Sequence, residues 1–164
     1  LATGTNEGIQ SSIIYMTIYL VMNLAFFSCL LMLKKNNIYF EKIEDLSGLS
    51  KNHPMLSLSF LIVLFSLAGI PPLAGFFGKF YVFMAVIDQK LYTLAVIGLL
   101  ATVISAFYYL RLIKIIYFDK PVNELDKNNN FGLRITLFLS TSFIVLFFVY
   151  PNGVTEFVKF INLI

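Results

Sequence analysis

The longest apolar run of the chain, residues 55–87, constrains the fold more than any other segment. It is 33 residues long and contains one charged side chain, Lys79. A straight helix of that length would measure about 50 Å at about 1.5 Å per residue, whereas the hydrocarbon core of a bilayer is about 30 Å thick. The run therefore predicts more than one simple membrane-spanning helix.

Two consecutive prolines, Pro71 and Pro72, stand in the middle of this run. Each lacks an N–H group and its ring clashes with the preceding turn, so the pair leaves at least two helix carbonyls without intrahelical donors. Gly69 and Gly75 flank the prolines and loosen the break further. We therefore predict two half-helices joined by an unwound stretch, as in transporters that expose backbone carbonyls to ions. A kink needed only for packing is the alternative.

Apart from Arg134, which lies near the start of the last predicted span and can snorkel, Lys79 is the only charged residue inside the predicted spans. Glycine, valine and phenylalanine occupy the positions one turn away from Lys79. A lysine at the bilayer centre costs about 2.5–3.5 kcal/mol on insertion, and burial disfavours the charged form of an amine. A lysine in this position can hold and release a proton, and its flexible stem can move between two water chains. Snorkelling to the interface is the alternative, but the end of the run is about 12 Å away.

The composition places the rest of the chain in a membrane as well. The chain is 59% hydrophobic and 13% charged, whereas soluble domains have about 25% charged residues. We predict an all-α integral membrane protein with four transmembrane helices, one of them broken at Pro71–Pro72, in a single membrane domain over residues 1–164. The predicted spans are residues 13–33, 55–87, 91–110 and 131–150, followed by an interfacial tail at 152–164.

The loop charges predict an orientation. The segments 34–54 and 111–134 hold nine Lys and Arg residues, whereas the opposite side holds only Lys90 and Lys159. The positive-inside rule then places both long loops in the cytoplasm or matrix and the C-terminus on the periplasmic or intermembrane side. Residues 1–12 lack the pattern of a secretory signal, so we interpret them as an interhelical loop in a piece of a longer membrane protein.

The long loops have predicted structure of their own. Apolar residues at helical spacing within residues 39–46 predict a short amphipathic helix on the membrane surface. The middle of the second loop, residues 119–130, predicts a flexible surface segment.

Polar residues at the end of the third predicted span form a weaker candidate. Tyr108 and Tyr109 end the span, and Ser105 and Thr102 lie one and two turns earlier, so one face could carry a water chain. Aromatic anchoring at the interface, next to Arg111, explains the tyrosines equally well.

We expect the other polar residues of the chain to have structural and not functional roles. Asn23 is expected to hydrogen-bond between helices, His53 to lie at the surface, and Cys29 to pack in the core. The sequence has no Cys/His cluster for a metal, no glycine-rich loop after a strand and no catalytic triad. Its basic residues lie mostly in loops without interleaved aromatics, so nucleic acid is not an expected partner.

Three strings together resemble a known family. SLAGIPPLAGFFGKFYVF (66–83), FYYLRLIKIIYFD (107–119) and EDLSGL (44–49) resemble the C-terminal part of the subunit N family of proton-pumping NADH:quinone oxidoreductase, respiratory complex I. The mitochondrial counterpart is NADH dehydrogenase subunit 2. The resemblance covers nearly the whole chain.

This resemblance implies an antiporter-like bundle of fourteen spans built around two inverted five-helix repeats, each with one broken helix. The chain would supply the last four spans. Lys79 matches the family's lysine on the second broken helix, the terminal protonatable site of a half-channel. Tyr108 matches a tyrosine of the next helix near the hydrophilic axis.

The resemblance also implies location and partners. The chain would lie in a bacterial cytoplasmic membrane or the mitochondrial inner membrane, among the other membrane-arm subunits and lipid. It would carry no redox chemistry and bind no cofactor, because the redox groups and the quinone chamber are in other subunits. The expected function is proton translocation through Lys79, coupled to electron transfer elsewhere. Two alternatives stay open, a subunit of a multi-subunit sodium/proton antiporter and a structural subunit without its own proton channel.

Overall fold

The structure, a computed structural model, describes residues 2–35, 38–121 and 130–150. This part of the chain is helical except for loops and two paired two-residue strands, Lys34–Lys35 and Ile38–Tyr39. The predicted tail at 152–164 and most of the predicted loop at 119–130 lie outside the described residues. The helices are α1 (Asn6–Leu31), a 3₁₀ helix (Ile43–Leu46), α2 (Leu49–Asn52), α3 (Pro54–Ala68), α4 (Ala74–Asp88), α5 (Tyr92–Phe118) and α6 (Phe131–Leu146).

The all-helical fold class is confirmed, and α1 and α5 are each long and apolar enough to cross a membrane. The helices α3 and α6 are apolar but shorter, and α4 has 15 residues. The number of membrane crossings therefore stays a prediction.

Several helix boundaries differ from those predicted. The helix α1 begins at Asn6, because the Thr5 hydroxyl accepts a hydrogen bond from the Gly8 N–H at 3.1 Å and caps the helix. The interpretation of residues 1–12 as a loop is wrong from Asn6 onward. The helix α5 continues past Arg111 to Phe118. Hydropathy reports the membrane-embedded length, whereas a helix can continue into water.

The predicted amphipathic helix over residues 39–46 is also wrong. The structure has the second short strand at Ile38–Tyr39 and a 3₁₀ helix at Ile43–Leu46. The Asp45 carboxylate accepts a hydrogen bond from the Lys42 N–H at 3.1 Å, which favours a tight turn at this point.

The helix α1 forms the centre of the described fold. It contacts α3, α4 and α6, and its fully buried positions recur every three to four residues, as expected for a core-facing stripe. The Phe60 ring of α3 meets the Phe26 ring of α1 edge-on at 6.2 Å between centroids. Cys29 is fully buried in this core, as predicted. The buried stripe of α1 consists of Ile18, Met22, Ala25 and Cys29.

A glycine brings α4 close to α1. A Cβ atom at Gly78 would lie 3.3 Å from Cδ2 of Tyr15 and 3.4 Å from Cδ1 of Ile18. This spacing is tight, so glycine permits the close approach. The contact holds Lys79, the next residue, beside α1.

The helix α5 exposes an apolar surface over most of its length. Such a surface suits lipid or neighbouring helices. Its large exposed residues include Leu94, Val96, Ile97, Leu99, Leu100, Val103, Ile104 and Phe107.

Candidate functional site

The long apolar run leaves helical geometry around its prolines. The helix α3 ends at Ala68 and α4 begins at Ala74. Gly69 caps α3 with a φ of +85°, a left-handed conformation that glycine adopts without steric cost. The Pro71–Pro72 peptide bond between the two helices is cis.

The prolines leave two identifiable carbonyls without their usual donors. In an α-helix the carbonyl of residue i accepts from the N–H of residue i+4, so positions 71 and 72 would serve Leu67 and Ala68. The Lys79 ammonium takes their place, because Nζ lies 2.8 Å from the Leu67 oxygen and 3.4 Å from the Ala68 oxygen. A side chain of α4 therefore caps the C-terminal end of α3.

The lysine side chain passes directly over Gly69. A Cβ atom at Gly69 would lie 3.2 Å from Cδ of Lys79 and 3.4 Å from its Nζ. The absence of a side chain at Gly69 gives Lys79 room to reach the carbonyls. Gly69 therefore contributes to the site in two ways: it leaves room for the lysine side chain, and it adopts the left-handed conformation that ends α3.

A second cap runs in the opposite direction across the break. No side chain from its own N-cap residue, Leu73, caps α4. Instead, the Ser66 hydroxyl of α3 accepts a hydrogen bond from the Gly75 N–H at 3.0 Å. A Cβ atom at Gly75 would overlap the Ser66 carbonyl oxygen, so only glycine allows this contact. Each half-helix thus supplies the side chain that caps the other.

The electrostatics favour the ammonium at this position. The C-terminal end of a helix carries a partial negative charge, which attracts a cation. Among residues 2–35, 38–121 and 130–150, Lys79 forms no ion pair with a carboxylate. Backbone dipoles therefore provide the polar contacts of this cation within the described chain.

Lys79 also borders a half-open polar cavity of about 260 Å³ between α1, α3, α4 and α5. A cavity of this size can hold several water molecules, each of which occupies about 30 Å³ in the liquid. Hydroxyl groups from two helices face it together with the ammonium. Its lining consists of Tyr15, Tyr19, Met22, Leu67, Lys79, Ala101, Thr102, Ser105 and Tyr109.

The predicted hydroxyl face of α5 is present. Thr102, Ser105 and Tyr109 all line the cavity. The Thr102 and Ser105 hydroxyls donate to carbonyls of their own helix at 3.0 and 2.9 Å, so their oxygen lone pairs stay available as acceptors. Tyr108 does not line this cavity and is 61% exposed on the described chain. The role that the resemblance implies for Tyr108 stays a prediction.

Sequence reasoning missed Tyr15. This residue lines the cavity, and its ring stacks on that of Tyr19 at 5.9 Å between centroids. Tyr15 and Tyr19 are four residues apart and therefore lie on one face of α1. This spacing is the sequence signal that would have identified Tyr15.

The remaining candidate residues, Asn23 and His53, do not line the cavity at Lys79. The Asn23 amide donates to the Tyr19 carbonyl of its own helix at 2.8 Å, and within the described residues it makes no bond to another helix. His53 is half-buried before α3 and borders an apolar groove. Within the described residues, no group of three or more His, Cys, Asp or Glu side chains could hold a metal ion.

Comparison with known proteins identifies the family. The family described as "NADH:quinone oxidoreductase/Mrp antiporter, TM" matches residues 1–105. NADH-quinone oxidoreductase subunit N of Pelagibacter ubique is 65% identical over 164 residues, which are 100% of this chain and 35% of that protein. The subunit N of Parvibaculum lavamentivorans is 51% identical over 151 residues, 92% of this chain and 31% of its own length.

A solved structure agrees with these sequence relatives. A chain of respiratory complex I from Thermus thermophilus with bound aureothin superposes with a TM-score of 0.76 at 26% identity, over 90% of this chain and 34% of that chain. The resemblance to subunit N is confirmed, and the chain spans about a third of the length of these relatives. The chain belongs to the NADH:quinone oxidoreductase/Mrp antiporter family of membrane proteins.

Proposed function

We propose that this chain is part of a proton-translocating membrane subunit of a respiratory NADH:quinone oxidoreductase, with Lys79 as a proton carrier. Relatives named NADH-quinone oxidoreductase subunit N support the assignment of this chain to that complex. One observation carries the assignment to Lys79. The ammonium lies between the free carbonyls of a broken helix and a hydroxyl-lined cavity. This arrangement gives the amine both hydrogen-bond acceptors for its charged form and contact with a cavity that can hold water.

The mechanism uses the two surroundings of Lys79. The protonated amine is held by the carbonyls of Leu67 and Ala68 and by the dipole of α3. Water in the cavity, together with the hydroxyls of Tyr15 and Tyr109, would deliver or accept the proton.

A second buried charge elsewhere in the complex would drive release. At a separation of about 8 Å and an effective dielectric constant of about 20, two like charges repel by about 2 kcal/mol. Moving one charge across a potential of 100 mV requires about 2.3 kcal/mol. The two energies are of similar size, so the approach of one neighbouring charge can account for one step of translocation.

The membrane placement forms part of the proposal. The helices α1 and α5 each make one crossing, α3 and α4 together make another, and α6 makes the fourth. Each half-helix of 15 residues is about 22 Å long, shorter than the about 30 Å hydrocarbon core. The helix α6 has 16 residues and would cross together with the apolar residues that follow it up to Tyr150. The long polar loops lie in the cytoplasm or matrix because they hold most of the basic residues.

The partners and the absence of cofactors follow from the same proposal. The chain would contact other membrane-arm subunits and lipid through the exposed apolar face of α5. It would bind no redox cofactor, since electron transfer takes place in other subunits of the complex.

A sodium/proton antiporter subunit is the second candidate, because the family description includes Mrp antiporters. The two functions differ in their driving force. Membranes containing an antiporter build a sodium gradient from a proton gradient without NADH, whereas the proposed subunit pumps only during NADH oxidation.

A structural role is the third candidate, and the cap itself favours it. Lys79 satisfies two carbonyls, and leaving a buried polar group unpaired costs about 1–3 kcal/mol. The substitution Lys79→Met therefore tests both roles, provided that pumping is expressed per assembled complex.

The decisive experiment compares Lys79→Met with Lys51→Met in the whole complex. Lys51 is exposed on α2 and serves as the control. We expect reconstituted Lys79→Met complex to oxidise NADH with fewer protons pumped per electron, and Lys51→Met to behave as wild type. A scaffold would instead show less assembled complex with an unchanged pumping ratio, which would overturn the proposal.

A further inference from the structure

We propose that Ser66 is a positioning residue that keeps the Lys79 ammonium on the carbonyls of α3. The inference rests on the proposed function of Lys79 and extends it to a residue with no proton chemistry of its own. Ser66 is fully buried, and its hydroxyl makes the hydrogen bond that joins α3 to the first turn of α4.

The geometry transmits the position of Ser66 to Lys79. Gly75, whose N–H donates to Ser66, lies one helical turn before Lys79 in α4. A displacement of the first turn of a continuous helix moves the next turn with it. The Ser66–Gly75 bond therefore fixes how far the base of the Lys79 side chain stands from the end of α3.

The hydrogen bonds of the ammonium leave little tolerance for such a displacement. The distance from Nζ is 2.8 Å to the Leu67 oxygen and 3.4 Å to the Ala68 oxygen. The second distance is already beyond the usual range for N–H···O bonds. A shift of a few tenths of an ångström away from α3 would therefore break the Ala68 contact and lengthen the other.

The surroundings of Ser66 also orient its hydroxyl. The Ser66 hydroxyl donates to Sδ of Met22, with 3.0 Å between the oxygen and the sulfur, which leaves an oxygen lone pair for the Gly75 N–H. Met22 belongs to α1 and lines the same cavity as Lys79. The positioning contact therefore extends from the central helix through Ser66 to the lysine-bearing helix.

The test uses Ser66→Ala, Ser66→Cys and Ser66→Thr in the complete enzyme. Alanine removes the acceptor, cysteine keeps a similar volume but is a weak acceptor, and threonine keeps the hydroxyl. The control is Ser59→Ala, because the Ser59 hydroxyl of the same helix donates only to the Met55 carbonyl of its own helix. The measurements are the amount of assembled complex, the KM for NADH and the protons pumped per electron.

A positioning role predicts a specific combination of results. The Ala and Cys variants should assemble with an unchanged KM and a pumping ratio at least halved, whereas Thr should recover most of the ratio and Ser59→Ala should match wild type. Wild-type ratios in the Ala and Cys variants would overturn the inference. Failure of both variants to assemble would also overturn it, because it would assign Ser66 to folding.

The outcome separates this inference from the proposed function. If Lys79→Met lowers the ratio but the Ser66 variants do not, the positioning role fails and the lysine assignment survives. If Lys79→Met leaves the ratio unchanged, the proposed function fails whatever the Ser66 variants show.

Discussion

The Lys79 ammonium lies 2.8 Å from the carbonyl oxygen of Leu67, the oxygen that an N–H at position 71 would serve in a continuous helix. The prolines and the lysine thus belong to one arrangement. The prolines remove the backbone donors, and the lysine replaces them with a donor that carries a charge. In a continuous helix these two carbonyls would accept backbone N–H groups and would not be available to the cation.

Restoring the backbone donors should displace the lysine. The double substitution Pro71→Ala and Pro72→Ala supplies two N–H groups that can compete for the carbonyls of Leu67 and Ala68. We expect a lower ratio of pumped protons to electrons in reconstituted complex. The control is Pro54→Ala, because Pro54 is at the first turn of α3, where an N–H has no helical partner. Equal pumping in the double and control variants would contradict the arrangement described above.

A side chain at Gly75 should destabilise the junction of the half-helices. The new methyl group of Gly75→Ala would overlap the Ser66 carbonyl oxygen, and overpacking of this kind costs about 1–3 kcal/mol. We expect a lower midpoint of thermal unfolding for the purified complex. At Gly132 of α6, the nearest atom to a new Cβ is 3.5 Å away, so Gly132→Ala should leave the midpoint unchanged.

The position of the cavity predicts that two tyrosines of α5 differ in their effect on proton pumping. Tyr109 lines the cavity beside Lys79, so Tyr109→Phe should reduce pumping several-fold by removing a hydroxyl from the water chain. Tyr92 is 58% exposed at the start of α5, and Tyr92→Phe should have no effect. Steady-state pumping in vesicles measures both.

The implied role of Tyr108 has its own test. The resemblance to subunit N predicts that Tyr108→Phe also lowers pumping, through contacts with parts of the protein beyond this chain. A normal ratio in Tyr108→Phe together with a reduced ratio in Tyr109→Phe would assign the α5 hydroxyl to Tyr109 alone.

An amine at position 79, rather than the natural lysine, should be sufficient for pumping. Lys79→Cys should lose pumping, and alkylation with 2-bromoethylamine should recover much of it, because the thiolate displaces bromide and carries an aminoethyl group of nearly the original length. Cys29, the only natural cysteine of the chain, is fully buried, so wild-type complex should be unaffected at this chain. Treatment with ethyl bromide, which adds no amine, should give no recovery.

The sequence was sufficient to predict the apolar segments and the family, because hydropathy and the Gly-Ile-Pro-Pro string are local features. It also indicated that the prolines free two carbonyls and that Lys79 has no anion within one turn. It did not connect these two facts, because the carbonyls of Leu67 and Ala68 are twelve and eleven residues away from Lys79 along the chain. The contact arises from how the two half-helices meet.

The contacts of Tyr15 and Ser66 were missed for the same physical reason. Both residues make contacts between helices, Tyr15 from α1 at the close approach to Gly78, and Ser66 through the bond to Gly75. Periodicity indicates which face of one helix is buried but not which residue of another helix meets it. Helix ends were misjudged where a cap, as at Thr5, extends a helix beyond the apolar run.

The contact of one uninterrupted helix, α1, with both α3 and α4 has a mechanical consequence. A continuous helix that packs against both halves of a broken one keeps the two halves aligned, while each half can still tilt against it. A relative movement of α3 and α4 would therefore be a small tilt of one half-helix along α1, and separation of the halves would require one of them to lose its contact with α1.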